Sequence, residues 1–218
     1  QRDNPMGDIY HSQLIVVGKP IADSKFVNTN QESYWRAENG YDAWADSTNL
    51  ANRQEILYAG SNSGILHAID AKTGKEIWGF IPPLIAPHLP LVMNTNLNQS
   101  TEGGSNAIFG VDGSIVQHDM FFKTPGTTAL AWHTILFVPY GRGGAGFSVL
   151  EITNPDKPLH LYSIYNDTIN HRVYRVDHEQ KIYAYDYISG TYSMASLQEA
   201  IKATDNYNDN NSVSDTCN

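Results

Sequence analysis

Eight histidines, 23 aspartates and glutamates and one glycine-rich run are the groups in this 218-residue chain that can carry chemistry. Their spacing excludes most of it. No HExxH pair places two imidazoles on one helical face with a glutamate base, which argues against a zinc peptidase. No GxSxG elbow lifts a serine onto a strand-to-helix turn. The run GRGGAG (141–146) would cradle a phosphate only if a helix N-terminus followed, and residues 147–152 read as a strand. His67, His118 and His133 fall in or beside strand-like runs, where an imidazole is a packed, hydrogen-bonded residue before it is a ligand. The remaining candidates are Asp205, Asp209 and Asp215, with Asn211 between them. They alternate oxygen donors of the kind a hard cation such as calcium takes, but Tyr207 interrupts the third position and no glycine follows. The expectation is a solvated tail, with these three aspartates as the only metal candidates and no catalytic residue.

The element that must position the rest is AGSNSGILHAIDAKTGKEIWGF (59–80). It reads as three short strands joined by two tight turns. SNSG (61–64) is the first turn, with Asn62 and Gly64 expected to take the positive φ of a hairpin. AKTG (71–74) is the second, with Gly74 at the left-handed position. Within it, AIDAKTGKEIW (68–78) has a readable division of labour. Asp70 accepts hydrogen bonds from the following turn, Thr73 and Gly74 shape that turn, and Trp78 offers a flat surface to a neighbouring sheet. With Ala68, these residues form a structural motif before they form a binding one. The spacing resembles the repeat of quinoprotein-type β-propellers, and it occurs here once.

Composition supports an all-β reading. Thirteen tyrosines, 17 glycines and 10 prolines favour many short strands, and 41% hydrophobic with 17% charged residues suffices for a core. The formal net charge of −9 argues against a nucleic-acid partner, since no basic stripe exists to displace phosphate counterions. Cys217 is the only cysteine, so neither a disulfide scaffold nor a cysteine zinc site forms within the chain. No apolar run is long enough to span a membrane, and there is neither an initiator methionine nor a signal peptide; the expectation is a piece of a longer protein.

Read in order, 13–18 (QLIVVG) is apolar on both faces, as in a strand packed between neighbours. Residues 21–54 form a long polar insertion, whose part 30–52 has room for a short helix with YDAWA (41–45) as its apolar part. Its aromatics Tyr34, Trp35, Tyr41 and Trp44 either pack on the domain edge or form a recognition loop. A second insertion covers 82–105, with prolines at 82, 83, 87 and 90. Strands are expected at 107–111, 115–122, 132–139, 147–152, 159–165, 172–176 and 181–187. SLQEAIKA (196–203) reads as a helix with Ser196 and Glu199 as a capping box, and 204–218 as a polar tail or loop leading into further sequence. The domain is thus 1–203, a partial β-propeller of about three blades' worth of strands with two long insertions.

Four segments in this order carry a family resemblance: GDIYHSQLIVVGKP (7–20), ILYAGSNSGILHAIDAKTGKEIWGFIP (56–82), GVDGSIVQHDMFF (110–122) and WHTILFVPYGRGGAGFSVLEITNPDKP (132–158). Together they resemble the PilY-type proteins, bacterial type IV pilus biogenesis factors and tip adhesins, in the opening part of their C-terminal β-propeller. The resemblance implies a non-enzymatic, exported protein at the cell surface or pilus tip. Its partners would be pilins or minor pilins, other tip subunits, or a host or abiotic surface. The family's calcium loop has no clear counterpart here. Two other readings remain: a quinoprotein-type dehydrogenase fragment, and a scaffold propeller of an envelope complex. The dehydrogenase needs several repeats and channel-facing ligands where this chain offers one repeat.

Overall fold

A computed structural model describes residues 7–25, 31–89 and 109–211, with side chains through residue 204. The chain is all-β apart from short helices, and its strands form two antiparallel sheets that do not close into a ring. The first sheet has the order β1 (Ile15–Val17), β2 (Ile56–Gly60), β3 (Leu66–Asp70), β4 (Glu76–Phe80). The second is a seven-stranded meander in sequence order: β5 (Val116–Phe122), β6 (Ala131–Pro139), β7 (Gly146–Glu151), β8 (Leu159–Asp167), β9 (Arg172–Asp177), β10 (Ile182–Asp186) and β11 (Thr191–Met194). The principal core lies between the sheets. Ile56, Tyr58, Leu66 and Ala68 of the first meet Leu136, Val138, Leu150 and Ile152 of the second, all at most 1% exposed.

The turns of the first sheet form as their residues dictate, with one exception. Gly64 and Gly74 have φ of 79° and 71°, but Asn62 does not share the positive φ expected of it: among the described non-glycine residues only His171 and Gln180 do. The Asn62 backbone N–H instead donates outward to the Asp8 carbonyl at 2.8 Å, and Gly64 alone reverses the chain. Asp70 Oδ1 accepts from the N–H groups of Lys72 (2.9 Å) and Thr73 (2.6 Å), which holds its carboxyl below the usual range.

The motif is not single, as the sequence reading has it. Residues 172–194 repeat 56–78 at a spacing of 116 residues. Ile56 pairs with Asp70, and Arg172 with Asp186. Asp186 Oδ1 accepts from Ile188 (3.0 Å) and Ser189 (2.8 Å), and Gly190 has φ 68°. The preceding hairpin repeats too: Asp177 N–H donates to the Lys181 carbonyl as Ser61 donates to Ile65, both at 3.0 Å. Tyr58 and Tyr174 are both buried. The copy is hidden in sequence because Gln180 takes the left-handed position of Gly64, and because no bulge recurs in the last strand: Ser193 lies opposite Ala184 where Trp78 lies opposite Ala68.

Three other expectations are corrected. The run 13–18 is not covered on both faces: β1 pairs only with β2 among the described residues, and Leu14 and Val16 are 54% and 58% exposed. No strand forms at 109–111, where Gly110 is pressed against the 61–64 turn and the Val111 N–H donates to the Ser61 carbonyl at 3.0 Å; residues 107 and 108 lie outside the described residues. The C-terminal helix does not stop at residue 203. Ser196 and Glu199 form the expected box (Ser196 N–H to Glu199 Oε2, 2.7 Å; Glu199 N–H to Ser196 Oγ, 3.2 Å), and the helix continues into the segment read as polar tail, through Asn211. Ala200 and Ala203 anchor it on the cluster around Tyr174 and Ile182, and an anchored, capped helix extends at one hydrogen bond per added residue.

The first insertion folds into three helices, α1 (Gln31–Glu38), α2 (Tyr41–Ala45) and α3 (Thr48–Ala51), and the C-terminal helix is α4 (Leu197–Asn211). Of the second insertion, residues 82–89 are described and form a short 3-10 turn, Ala86–His88; the rest lies outside the described residues.

Candidate functional site: a loop junction and an aromatic insertion

Two of the motif residues, Ala68 and Trp78, join the two sheets, while Asp70, Thr73 and Gly74 shape their own turn. The Trp78 indole N–H donates to the Pro155 carbonyl, in the β7–β8 loop, at 2.7 Å, and its ring lies 5.7 Å from that of the buried Tyr58. Ala68 is fully buried beneath. None of Ala68, Asp70, Thr73, Gly74 and Trp78 lines the cleft beside residues 16–22 or the one beside residues 153–156. Trp78, seated over Ala68, is the docking residue between the sheets.

The segments that carry the family resemblance converge at one end of the sheets. The Asp112 carboxylate, 2% exposed as a residue, accepts from the backbone N–H of His11 (3.0 Å) and meets His11 Nδ1 at 2.6 Å. The loop 109–113 threads between the turns 61–64 and 140–144. The N–H groups of Asp112 and Gly113 donate to the Tyr140 and Pro139 carbonyls at 3.1 and 3.2 Å. The backbones approach so closely that a Cβ on Gly143 would stand 1.8 Å from the Gly110 carbonyl oxygen, and one on Gly110 would stand 2.4 Å from the Gly64 nitrogen. GRGGAG is therefore a crossing point between strands, followed by β7, and not an anion cradle.

Beside this junction runs a serine–histidine–glutamate relay: Ser61 Oγ to His67 Nε2 at 3.1 Å, and His67 Nδ1 to Glu76 Oε1 at 2.6 Å. Ser61 is fully buried and its hydroxyl is also bonded to the Ile65 carbonyl and to Ser63 Oγ. The relay is a closed structural network with no reachable nucleophile. His118 likewise pairs with Glu32 at 2.8 Å, and His133 with Glu151 at 3.2 Å. Burial alone would raise the Glu151 carboxyl, but bonds from His133 and Thr153 outweigh it and hold it below its ordinary value. Among the described residues no group of three metal-ligating side chains assembles. Asp215 lies outside the described residues, and Asp205 and Asp209 are described only as backbone of α4.

His160 gives a pH dependence. Burial holds its imidazole below the ordinary value of 6.5, and its Nε2 meets Ser163 Oγ at 2.9 Å. The folded state binds this proton less readily than the unfolded chain. The contribution is thus fully present above about pH 6.5 and declines as pH falls below it. Urea denaturation of the parent between about pH 7.5 and 5.5 is expected to show a steeper loss of stability than His160→Gln.

The insertion divides the four aromatic candidates. Tyr41 is 1% exposed; its hydroxyl donates to Asp119 Oδ2 at 2.5 Å and accepts from the Ala22 N–H at 3.1 Å. Burial pushes its phenol well above the ordinary range. Tyr41 and Trp44 pack on Trp132, whose indole donates to the Asn39 carbonyl at 2.8 Å. These two anchor the insertion. Tyr34 and Trp35, on α1, remain 47% and 53% exposed, Trp35 with its edge toward Phe121.

Beneath α1 lies a cleft of about 230 Å³ lined by residues 16–22, Arg36, Arg53 and 117–119. Neither arginine had a local signal in the sequence, since each acts through groups distant in the chain. Arg53 donates from Nε to the Gly18 carbonyl at 2.7 Å and from Nη1 to Thr134 Oγ1 at 2.7 Å, with Nη2 also bonded to Gly18. Burial lowers its pKa. Arg36 donates to the Asp23 carbonyl at 3.0 Å and pairs with Glu32 at 3.2 Å.

No family model matches the chain. Curated relatives do. A type IV pilus biogenesis factor PilY1 homolog of Xylella fastidiosa is 34% identical over 154 residues, 71% of this chain and 11% of that protein. PilY1 of Pseudomonas aeruginosa strain UCBPP-PA14 is 35% identical over 156 residues, 72% of this chain and 12% of that protein. The chain thus spans about a tenth of the length of these relatives. Among solved structures, the Pseudomonas aeruginosa PilY1 C-terminal domain matches with a TM-score of 0.45 and 22% identity, over 83% of this chain and 37% of that one.

Proposed function

From the chain's relationship, over some seven tenths of its length, to the PilY1-type type IV pilus biogenesis factors, we propose that it serves in pilus biogenesis as a non-enzymatic protein-binding module displayed at the cell surface. The sequence relationship carries this reading. The structure contributes the means: two sheets welded by Trp78 and the glycine junction hold the insertion, and α1 displays Tyr34 and Trp35 from that rigid base. Pilins or minor pilins are the proposed partners, with other tip subunits and a host or abiotic surface as further ones, so that adhesion follows from the same loop. Among the described residues no helix is long and apolar enough to cross a membrane.

The test uses the full-length protein in its own host. Tyr34→Ala/Trp35→Ala, at exposed positions, is expected to preserve protein level while lowering surface pili and attachment several-fold. Normal piliation and attachment in that strain, beside a deletion strain that lacks both, would overturn the loop-binding reading.

A further inference from the structure

The 16–22/Arg53 cleft combines two features that nothing above uses. First, both strands bordering it are sheet edges. Among the described residues β1 pairs only with β2, and β5 only with β6. Edge strands in β-proteins are commonly guarded by charge, proline or a bulge. The run 14–17 (LIVV) carries none of these, yet Leu14 and Val16 are more than half exposed and Ile21 just beyond is 88% exposed. Its sequence is that of a strand covered on both faces, and among the described residues nothing covers the face of Leu14 and Val16.

Second, the cleft wall holds a buried guanidinium without a carboxylate in contact. Arg53 is 8% exposed, and its hydrogen bonds go to a carbonyl and a hydroxyl. Burying a cation against neutral acceptors alone is costly unless an anion compensates it. The other charges nearby are already engaged. Lys19 pairs with Asp46, Arg36 with Glu32, and Asp119, the one carboxylate in the wall, accepts from Tyr41 and from Gln117 at 3.1 Å. Asp119 and Glu151, the latter itself bonded to His133, act on Arg53 only at longer range, and neither contacts it.

We propose that this cleft is a strand-addition site for an extended peptide segment: its backbone lies along the free edge of β1, its apolar side chains cover Leu14 and Val16, and a carboxylate of the segment reaches Arg53. Backbone pairing supplies affinity in such sites, and the carboxylate sets register and selectivity. The inference concerns the cleft alone and stands whether or not the chain acts in pilus assembly.

Fluorescence anisotropy with the whole chain tests it, using three labelled peptides of about six residues with alternating valine and threonine. One ends in a free carboxylate, one carries an internal aspartate and an amidated end, and one is amidated with no carboxylate. Saturable binding is expected for at least one acidic peptide, at least tenfold tighter than for the uncharged amide, and the stronger acidic form identifies the source of the carboxylate. Arg53→Gln is expected to abolish that preference. Because Arg53 also supports the fold, Val16→Glu at an exposed position is the second variant, expected to weaken binding at least tenfold with unchanged Tm. No saturable binding, equal binding of all three peptides, insensitivity to Val16→Glu, or succinate binding as tightly as the acidic peptides would each overturn the proposal.

Discussion

Gly143→Ala is expected to cost about 3 kcal/mol or more of folding stability, a loss in the range of severe overpacking. The new methyl would stand 1.8 Å from the Gly110 carbonyl oxygen, and the obstacle is backbone, which no side-chain rotation relieves. The strands behind it cannot retreat, because Asp112 and Gly113 are bonded to the 139–140 backbone. A control separates space from strain. Gly126 has φ 80° but nothing within 4 Å of an added Cβ, so Gly126→Ala pays only for the left-handed backbone, about 1 kcal/mol. Urea denaturation of both variants checks the order; equal losses would mean that the loop crossing yields more easily than the geometry indicates.

Trp78→Ala is expected to cost about 2–3 kcal/mol, below the range for a wholly buried tryptophan because the ring is half-buried. It removes the contact with Tyr58 and the bond to the Pro155 carbonyl. Trp78→Phe keeps most of the surface and loses the bond, at about 1 kcal/mol. At the same spacing in the repeat, Met194→Ala is expected to change little, because Met194 is 68% exposed and lies opposite Tyr183, not opposite Ala184, the counterpart of Ala68. A large loss at Met194, measured in the same denaturation series, would show that the two repeats are used alike.

The legible part of the fold was the part governed by short-range chemistry. Alternation and turn residues gave β2 through β4 and most of β5 through β10, and the Ser196–Glu199 box placed the start of α4. Trp78 was legible as a docking surface because a large indole ten residues beyond Ala68 has few other uses in that motif. What failed depended on what the segment met. QLIVVG has the pattern of a covered strand, and only the sheet order reveals its open edge. The repeat at 172–194 escaped because its first turn keeps the hydrogen bond while exchanging Gly64 for Gln180, and because its last strand has no bulge and puts Ser193 opposite Ala184 where Trp78 lies opposite Ala68. The four insertion aromatics were indistinguishable by type, and the partner across the chain, Trp132, separates Tyr41 and Trp44 from Tyr34 and Trp35. Arg53 and Arg36 carried no pattern at all.

The segments bearing the family resemblance form the weld between the sheets. Native-state hydrogen exchange resolved by residue tests it most directly. The amides of Ser61, Val111, Asp112 and Gly143, all bonded across or within the junction, are predicted to exchange only through global unfolding, together with the core of β2 and β6. Exchange of these four through a lower-energy opening, with the four-stranded and seven-stranded sheets each still protected, would contradict it and make the junction a hinge between two independent units.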